Sequence, residues 1–272
     1  MAIGQIPRRY RGQPTLAAIG RATRTHLFFL LQLAALSLGI ISDAMRPSMW
    51  RSSVRTEFWR TLRHAAGGGL ATTIFTAALV GLLLVSEALF WLGRTGESRL
   101  VGPIIVTVLV RQITPLLIGL ILVGRAGVVT VAEMSTIGAA GQQRALLGQG
   151  LDPFTLFVLP RGIALALASF TLGVIFVLVA LTVGFVASNV LGTVQASIWV
   201  FFDGVVAAMQ GYDFALFPAV LLIIGILIAA ISCLTGMSGE GSDQPATVLP
   251  RSFVRSVVAI LIINVIVNLA AP

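Results

Sequence analysis

Long apolar segments alternate with short polar segments along most of this chain. Five of the apolar segments are long enough to cross a bilayer as helices, because a transmembrane helix needs about 20 apolar residues. These predicted spans cover residues 65–92, 100–123, 153–190, 213–236 and 251–270. The pattern therefore predicts an all-α integral membrane protein with five transmembrane helices.

The first 64 residues follow a different pattern. The apolar stretch 27–41 is shorter than a typical span and ends at Asp43. We interpret it as an interfacial or re-entrant helix on the cytoplasmic leaflet. In residues 46–64, apolar and basic side chains alternate at near-helical spacing and tryptophans are included, which is typical of a second surface segment. Residues 1–64 are thus predicted to form a cytoplasmic tail with interfacial helices, and 65–272 the membrane domain.

The arginines predict the orientation of these spans. All 18 basic residues are arginine, and positively charged residues concentrate on the cytoplasmic side of membrane proteins. Only Arg94 and Arg99 fall in a predicted outer loop, so we expect the N-terminus inside and the C-terminus outside. The aromatic-rich stretch 192–212 is predicted to be a connector lying on the outer surface.

Composition supports the membrane assignment and excludes several kinds of chemistry. The chain is 57% hydrophobic and only 10% charged, whereas soluble domains carry about 25% charged residues. Without lysine it has neither a P-loop nor a Schiff-base lysine, so we expect no ATPase activity and no catalytic residue in this chain. The net charge of +8 comes from arginines at span ends, which argues against nucleic-acid binding.

Few residues are suited to hold a metal. Cys233 is the single cysteine, so neither an intrachain disulfide nor a cysteine cluster is expected. His26 and His64 lie far apart in the sequence, near predicted membrane boundaries, and we interpret both as interfacial. We predict no metal site.

Three polar residues inside or near the predicted spans are candidates for a substrate path. Glu87 is either functional or simply placed at the outer interface. Arg111 and Gln112 interrupt the second span just before Pro115. Arg111 either meets a lipid phosphate or holds helices together through backbone carbonyls; we favour the second role, because Gln112 and Pro115 indicate an irregular backbone that needs donors.

A polar island, residues 124–161, separates the second and third spans on the cytoplasmic side. We predict a turn at 124–127, a short helical segment at 131–147, and a rigid start of the third span at Asp152 and Pro153, since Asp is a good N-cap and Pro a good first helical residue. Gly148 and Gly150 are candidate C-caps. Within 131–147, four residues could make polar contacts: Glu133, Gln142, Gln143 and Arg144.

This island resembles the MlaE/YrbE family, the permease subunits of bacterial ABC transporters that work with MCE-domain lipid-binding proteins. The residues that carry the resemblance are Gly124-Arg125-Ala126-Gly127, Ala132-Glu133, Gln142, Ala145-Leu146, Gly150, Asp152-Pro153 and Pro160-Arg161. A more diffuse similarity extends from about residue 60 to 270. The chain departs from the family pattern at Gly141, Gln112, Val220-Leu221 and Asn264.

The resemblance implies that 131–147 is a coupling helix docking on a nucleotide-binding ATPase subunit, with Glu133, Gln142, Gln143, Arg144, Asp152 and Pro153 transmitting the movement. It further implies that ATP and Mg are bound by that partner, and that this chain holds no cofactor. The other implied partners are an MCE-domain protein, membrane lipids and a second permease copy, either identical or a paralogue. The implied location is the bacterial inner membrane, and the implied cargo is phospholipid or a similar hydrophobic molecule.

Two other functions remain open at the level of sequence. A secondary transporter would need no ATPase, but we find no internal repeat of the kind that many such transporters have. A membrane scaffold would move no lipid at all. Both alternatives differ from the ABC permease in measurable ways.

Overall fold

The computed structural model describes residues 14–46, 50–95, 101–150, 152–191, 197–237 and 245–270. The predicted outer loop beyond residue 95, the start of the 192–212 connector and the inner loop 238–244 lie largely outside these ranges, as does the tail before residue 14. The described part forms eight helical elements. They are α1 (Pro14–Ala44), α2 (Ser52–Thr95), α3 (Val101–Ala139), α4 (Gln142–Gly148), α5 (Phe154–Val190), α6 (Ile198–Ala208), α7 (Asp213–Met237) and α8 (Pro245–Ala270).

The all-α membrane class is confirmed, with a different helix count. By length and composition, six described helices could cross a membrane, one more than the five predicted. The additional one is Leu27–Ala44 in α1. The apolar pattern predicts an end near Ile41, but the helix continues through Asp43 to Ala44, since one polar residue near a helix end does not interrupt backbone hydrogen bonding.

The packing of α1 bears on where it lies. Helix ends are called inner and outer here according to the predicted topology. Ile40 fills the space at Gly162 near the inner start of α5, and Leu33 belongs to the same buried cluster as Cys233 near the inner end of α7. Phe29 lies under the Arg255 guanidinium, 4.2 Å from it. These contacts of α1 are therefore with residues near the inner ends of α5, α7 and α8, while its interfacial or re-entrant placement stays a prediction.

Two helices are longer than the hydropathy pattern predicts. The segment Ser52–Leu62 runs through a π-helical turn at Arg63–Gly67 directly into Gly68–Val80, so it is an N-terminal extension of the first span and not a separate surface helix. The predicted turn at 124–127 is likewise wrong, because Val123–Gly127 is a π-helical turn within α3. The second span thus continues to Ala139, well beyond the predicted end at 123.

The remaining spans agree closely with prediction. α5 covers Phe154–Val190, α7 covers Asp213–Met237, and the last apolar segment lies in α8, which begins before the predicted residue 251. α5 is central, since it packs on α2, α3 and α7. Its close contacts use small residues: a side chain at Gly81 of α2 would collide with the Ala180 backbone, and one at Gly225 of α7 with the Ala166 backbone.

The irregular backbone around Arg111 is present. Val106–Ile113 is a π-helical stretch, which leaves some carbonyls without their usual α-helical partners. The Thr114 hydroxyl donates to the Leu109 carbonyl at 2.7 Å, and the Asn264 amide of α8 donates to the Gln112 carbonyl at 3.1 Å. These side chains thus satisfy acceptors inside the membrane domain.

Candidate functional site

A buried guanidinium joins three helices near their inner ends. Arg161 of α5 lies 2.6 Å from a Glu133 carboxylate oxygen of α3 and 2.8 Å from one of Glu57 in α2. Arg60 reaches the same two carboxylates at 3.3 and 3.1 Å. We call Glu57, Arg60, Glu133 and Arg161 the inner cluster. It holds two cations and two anions, so its charges balance.

The side chains of the inner cluster differ widely in solvent exposure. The Arg161 side chain is only 3% exposed, whereas Arg60 is 58% exposed. Arg161 also donates toward the Met134 sulfur at 3.3 Å and lies over the Phe157 ring. Because a buried charge is costly unless paired, Arg161 requires its two carboxylates, while Arg60 has water as an alternative.

The polar island leads into this cluster. After α3 ends at Ala139, Gly141 adopts a left-handed backbone with φ of 66°, and the short helix α4 follows. The predicted segment 131–147 is therefore two helices with a break between them. Gln142 is exposed at the start of α4, and the side chains of Gln143 and Arg144 lie outside the described part of the structure.

The joint after α4 is built as its sequence predicts. Gly150 has a positive φ of 74°, which a glycine adopts at little cost. The Asp152 carboxylate then accepts a hydrogen bond from the Phe154 backbone N–H at 3.0 Å, which is the N-cap interaction. Pro153 is buried and α5 follows directly, so the N-cap geometry is confirmed.

A second ion pair lies near the outer end of the bundle. The Arg111 Nε is 2.8 Å from one Asp213 oxygen, and its Nη2 donates to the other at 2.9 Å. The same Nη2 donates to the Tyr212 hydroxyl at 2.7 Å. The Gln210 backbone N–H also donates to Asp213, at 2.9 Å. We call Arg111, Tyr212 and Asp213 the outer cluster; it ties the π-helical part of α3 to the start of α7.

Two other predicted residues lie apart from both clusters. Gln112 has an exposed side chain, and its contact with α8 is made through the backbone carbonyl. Glu87 is exposed near the outer end of α2 and accepts a hydrogen bond from the Trp91 indole N–H at 2.9 Å. The structure therefore does not bring Glu87, Arg111 and Gln112 together as one polar site.

Sequence reasoning missed three important partners. The pattern places Glu57 in a surface segment, Asp213 at the start of a span and Tyr212 in a connector, but it predicts no pairing for any of them. Acidic residues are scarce, with 10 in the chain, so each one near a span end was a candidate partner for an arginine near a span. That scarcity was the available signal.

The clusters suit charge pairing and helix coupling better than catalysis. Among the described residues, no group of three or more His, Cys, Asp or Glu side chains could hold a metal ion. Cys233 is fully buried in α7. What the arrangement does chemically is fix α2, α3 and α5 at one level and α3 and α7 at another.

Comparison with known proteins identifies the family. The family model described as "Permease MlaE" matches residues 58–270, which is well over half of the chain. A "Probable ABC transporter permease protein" of Rickettsia typhi is 24% identical, with 86% of this chain and 89% of that protein covered. A protein of the same description from Synechocystis is 27% identical, over 64% and 66% of the two chains.

A plant relative extends the comparison. "Protein TRIGALACTOSYLDIACYLGLYCEROL 1, chloroplastic" of Arabidopsis thaliana is 25% identical over 72% of this chain. The chain spans about half of that relative, 54% of its length. The family match and the apolar helices together define a multi-pass membrane protein with the character of an ABC transporter permease. This chain belongs to the MlaE permease family.

Proposed function

We propose that this chain is the transmembrane permease subunit of an ABC transporter that moves phospholipid, or a similar hydrophobic molecule, between the bacterial inner membrane and periplasmic MCE proteins. ATP and Mg bind to a partner ATPase subunit, whose hydrolysis drives the movement. Family membership and the permease names of the relatives support this proposal. The plant relative, whose printed name is that of a diacylglycerol lipid, supports the lipid cargo.

The observation that carries the proposal is the position of the inner cluster beside the capped joint. Asp152 caps the start of α5, and Arg161 follows on the same helix. Arg161 is paired with Glu133 of α3 and Glu57 of α2. A displacement of the 140–152 region is thus carried into three membrane helices, because a paired buried guanidinium cannot easily separate from its carboxylates.

In the proposed mechanism, a displacement of α4 is transmitted to α5 and, through an ion pair, to α3. Closure of two ATPase subunits pushes on α4, where Gln142, Gln143 and Arg144 lie. The N-cap at Asp152 and Pro153 keeps the start of α5 rigid, so the displacement becomes a tilt of α5 and not a local unwinding. Glu133 transmits the same displacement to α3 through its ion pair with Arg161.

The lipid path is assigned to the apolar surface of the bundle. A lipid needs an apolar cavity with few polar groups, and many large apolar side chains are exposed on the described helices. A second permease copy, identical or paralogous, completes the cavity, which opens outward beneath an MCE protein. In this proposal the permease domain begins with α2 at Ser52 and the residues before it form the cytoplasmic tail and the interfacial helix α1. The topology is N-in and C-out.

A double substitution tests the joint. Asp152→Ala with Pro153→Ala removes the cap and the rigid first residue, so ATP-dependent lipid transfer from reconstituted complexes should fall several-fold. Loss of an N-cap costs only about 1 kcal/mol of stability, so the assembled complex should persist on size-exclusion chromatography. Asp203→Ala, at an exposed aspartate of α6, is the control and should transport normally. Full transport by the double variant would refute the joint.

Two measurements separate the proposal from its alternatives. If the chain, expressed from its native operon, never retains an ATPase subunit, a secondary transporter becomes the better explanation. If the complete complex hydrolyses ATP without moving lipid, the chain is a scaffold.

A further inference from the structure

A recess between α2 and α3, near their inner ends, is rich in cationic side chains. It has a volume of about 400 Å³, and its lining includes Arg60, His64, Arg125, Ala126, Val129 and Thr130. A volume of this size is within the range of about 300–1,000 Å³ that ligand pockets occupy. We call it the basic recess. It shares Arg60, Glu133 and Arg161 with the inner cluster but extends beyond them to Arg125.

The basic recess carries an excess of positive charge. In the inner cluster, Arg60 and Arg161 are balanced by Glu57 and Glu133. Arg125 has no carboxylate partner within the described part of the chain; its side chain donates to the Thr72 hydroxyl at 3.2 Å. A guanidinium with one neutral partner keeps donors free for an anion, and arginine is well suited to phosphate.

The backbone of α2 makes room for this guanidinium. A side chain at Gly68 would place its first carbon only 3.2 Å from the Arg125 Nη2. Glycine at this position therefore lets Arg125 lie against α2 and point toward Thr72, into the apolar part of the first span. Arg125 remains exposed in this position, so its guanidinium is accessible to a ligand.

The surroundings indicate the depth of the recess in the bilayer. Trp59, on the preceding turn of α2, is 57% exposed, as is usual for tryptophan at headgroup level. Further into the first span, Leu70 and Ile74 are 38% and 41% exposed, which suits contact with acyl chains. The basic recess thus lies where a polar headgroup and its first acyl carbons would meet the protein.

We propose that the basic recess binds the phosphate of an anionic lipid headgroup from the inner leaflet, with Arg125 as its principal ligand. The shared chemistry is a phosphate anion, and the source we assign is a lipid, because the recess is bordered by exposed apolar side chains as well as arginines. The site holds an inner-leaflet lipid against α2 and α3 and is separate from the outward-opening transport cavity. Lipid binding at this site does not depend on whether the chain transports lipid.

Thermal unfolding of the full chain in neutral detergent tests this site. The probes are short-chain dihexanoyl phosphatidylglycerol, dihexanoyl phosphatidylcholine and inorganic phosphate, each titrated while the unfolding midpoint is followed by tryptophan fluorescence. Phosphatidylglycerol should raise the midpoint more than phosphatidylcholine. In Arg125→Gln the phosphatidylglycerol concentration for half of the effect should rise about tenfold or more, as expected for losing charge-assisted hydrogen bonds.

The matched control is Arg55→Gln. Arg55 is an exposed arginine of α2, the other helix that borders the recess, but it does not line the recess. Its removal lowers the net charge equally and should leave the phosphatidylglycerol response unchanged. An equal loss in both variants would mean general charge attraction and overturn the site. An equal stabilisation by inorganic phosphate would overturn the lipid assignment.

A second variant keeps the charge and changes only the space. Gly68→Val should displace the Arg125 guanidinium and reduce the phosphatidylglycerol response, as Arg125→Gln does. If the response is undiminished in both Arg125→Gln and Gly68→Val, the proposal is overturned. Co-purification separates a protein contact from a lipid site: if Arg125→Gln loses the ATPase subunit while its response to phosphatidylglycerol is intact, the recess binds protein and not lipid. Neither measurement requires ATP-driven transport.

Discussion

The inner and outer clusters both pair an arginine within a membrane-length helix with acidic side chains, but they do so differently. Arg161 is 3% exposed and is shared by two carboxylates from two other helices. Arg111 is 14% exposed and faces one carboxylate, that of Asp213, together with a neutral hydroxyl. The inner cluster therefore ties more helices together through a more buried charge.

The difference matters because the two clusters suit different tasks. A deeply buried cation between two anions resists separation, so the inner cluster should behave as a rigid coupling between α2, α3 and α5. The outer cluster is also buried, since Asp213 is 2% exposed, but it holds a single carboxylate and includes Tyr212, a neutral partner. Fewer charged contacts therefore oppose its opening. We therefore expect rigidity at the inner end of the bundle and easier rearrangement at the outer end.

The largest effect is expected at Arg161. In Arg161→Gln the buried cation is lost while Glu57 and Glu133 remain, and breaking a buried ion pair in this way costs about 3–5 kcal/mol. The unfolding midpoint in detergent should fall clearly below that of Arg55→Gln, an exposed control. If stranded carboxylates cause the loss, adding Glu57→Gln and Glu133→Gln should recover part of the stability. Equal midpoints for Arg161→Gln and the control would refute the rigid coupling.

The helix extents within the apolar core followed from the sequence, since they depend on local properties. The 25 residues of 213–237 are close to what a bilayer requires, whereas the 37 residues of 154–190 exceed it. Asp152 followed by Pro153 is a local start signal. Backbone conformations that are set by the adjacent residues, such as the positive φ of Gly150, were predictable for the same reason.

The extensions and pairings did not follow from the sequence. Hydropathy marks where a chain leaves hydrocarbon and not where its backbone hydrogen bonds end, so α3 continues through Val123–Gly127 as a π-helical turn. The partners in the outer cluster are 102 residues apart, and Arg161 and Glu57 are 104 apart. Periodicity carries no information on which helix will face which, and only the packed bundle supplies these contacts.

A middle-sized effect is expected in the outer cluster. Asp213→Asn removes the charge but keeps an oxygen that can accept from the Gln210 backbone N–H, and Arg111 retains the Tyr212 hydroxyl. The expected loss is about 2 kcal/mol, the scale of a hydrogen bond to a charged group. Asp203→Asn, on the exposed face of α6, is the control. A loss as large as that of Arg161→Gln would abolish the distinction between the two clusters.

The smallest effect is expected at Arg60, and its salt dependence makes the comparison sharper. Arg60 is 58% exposed, so Arg60→Gln should cost about 0–1 kcal/mol. Raising the salt from about 0.1 to 1 M shortens the Debye length from about 10 to 3 Å, so this small difference from the wild type should vanish in unfolding experiments at high salt. The deficit of Arg161→Gln should persist, because a buried pair is screened little. If Arg60→Gln instead shows a large deficit that salt does not change, the surface arginine is as essential as the buried one, and the inner cluster cannot owe its rigidity to burial.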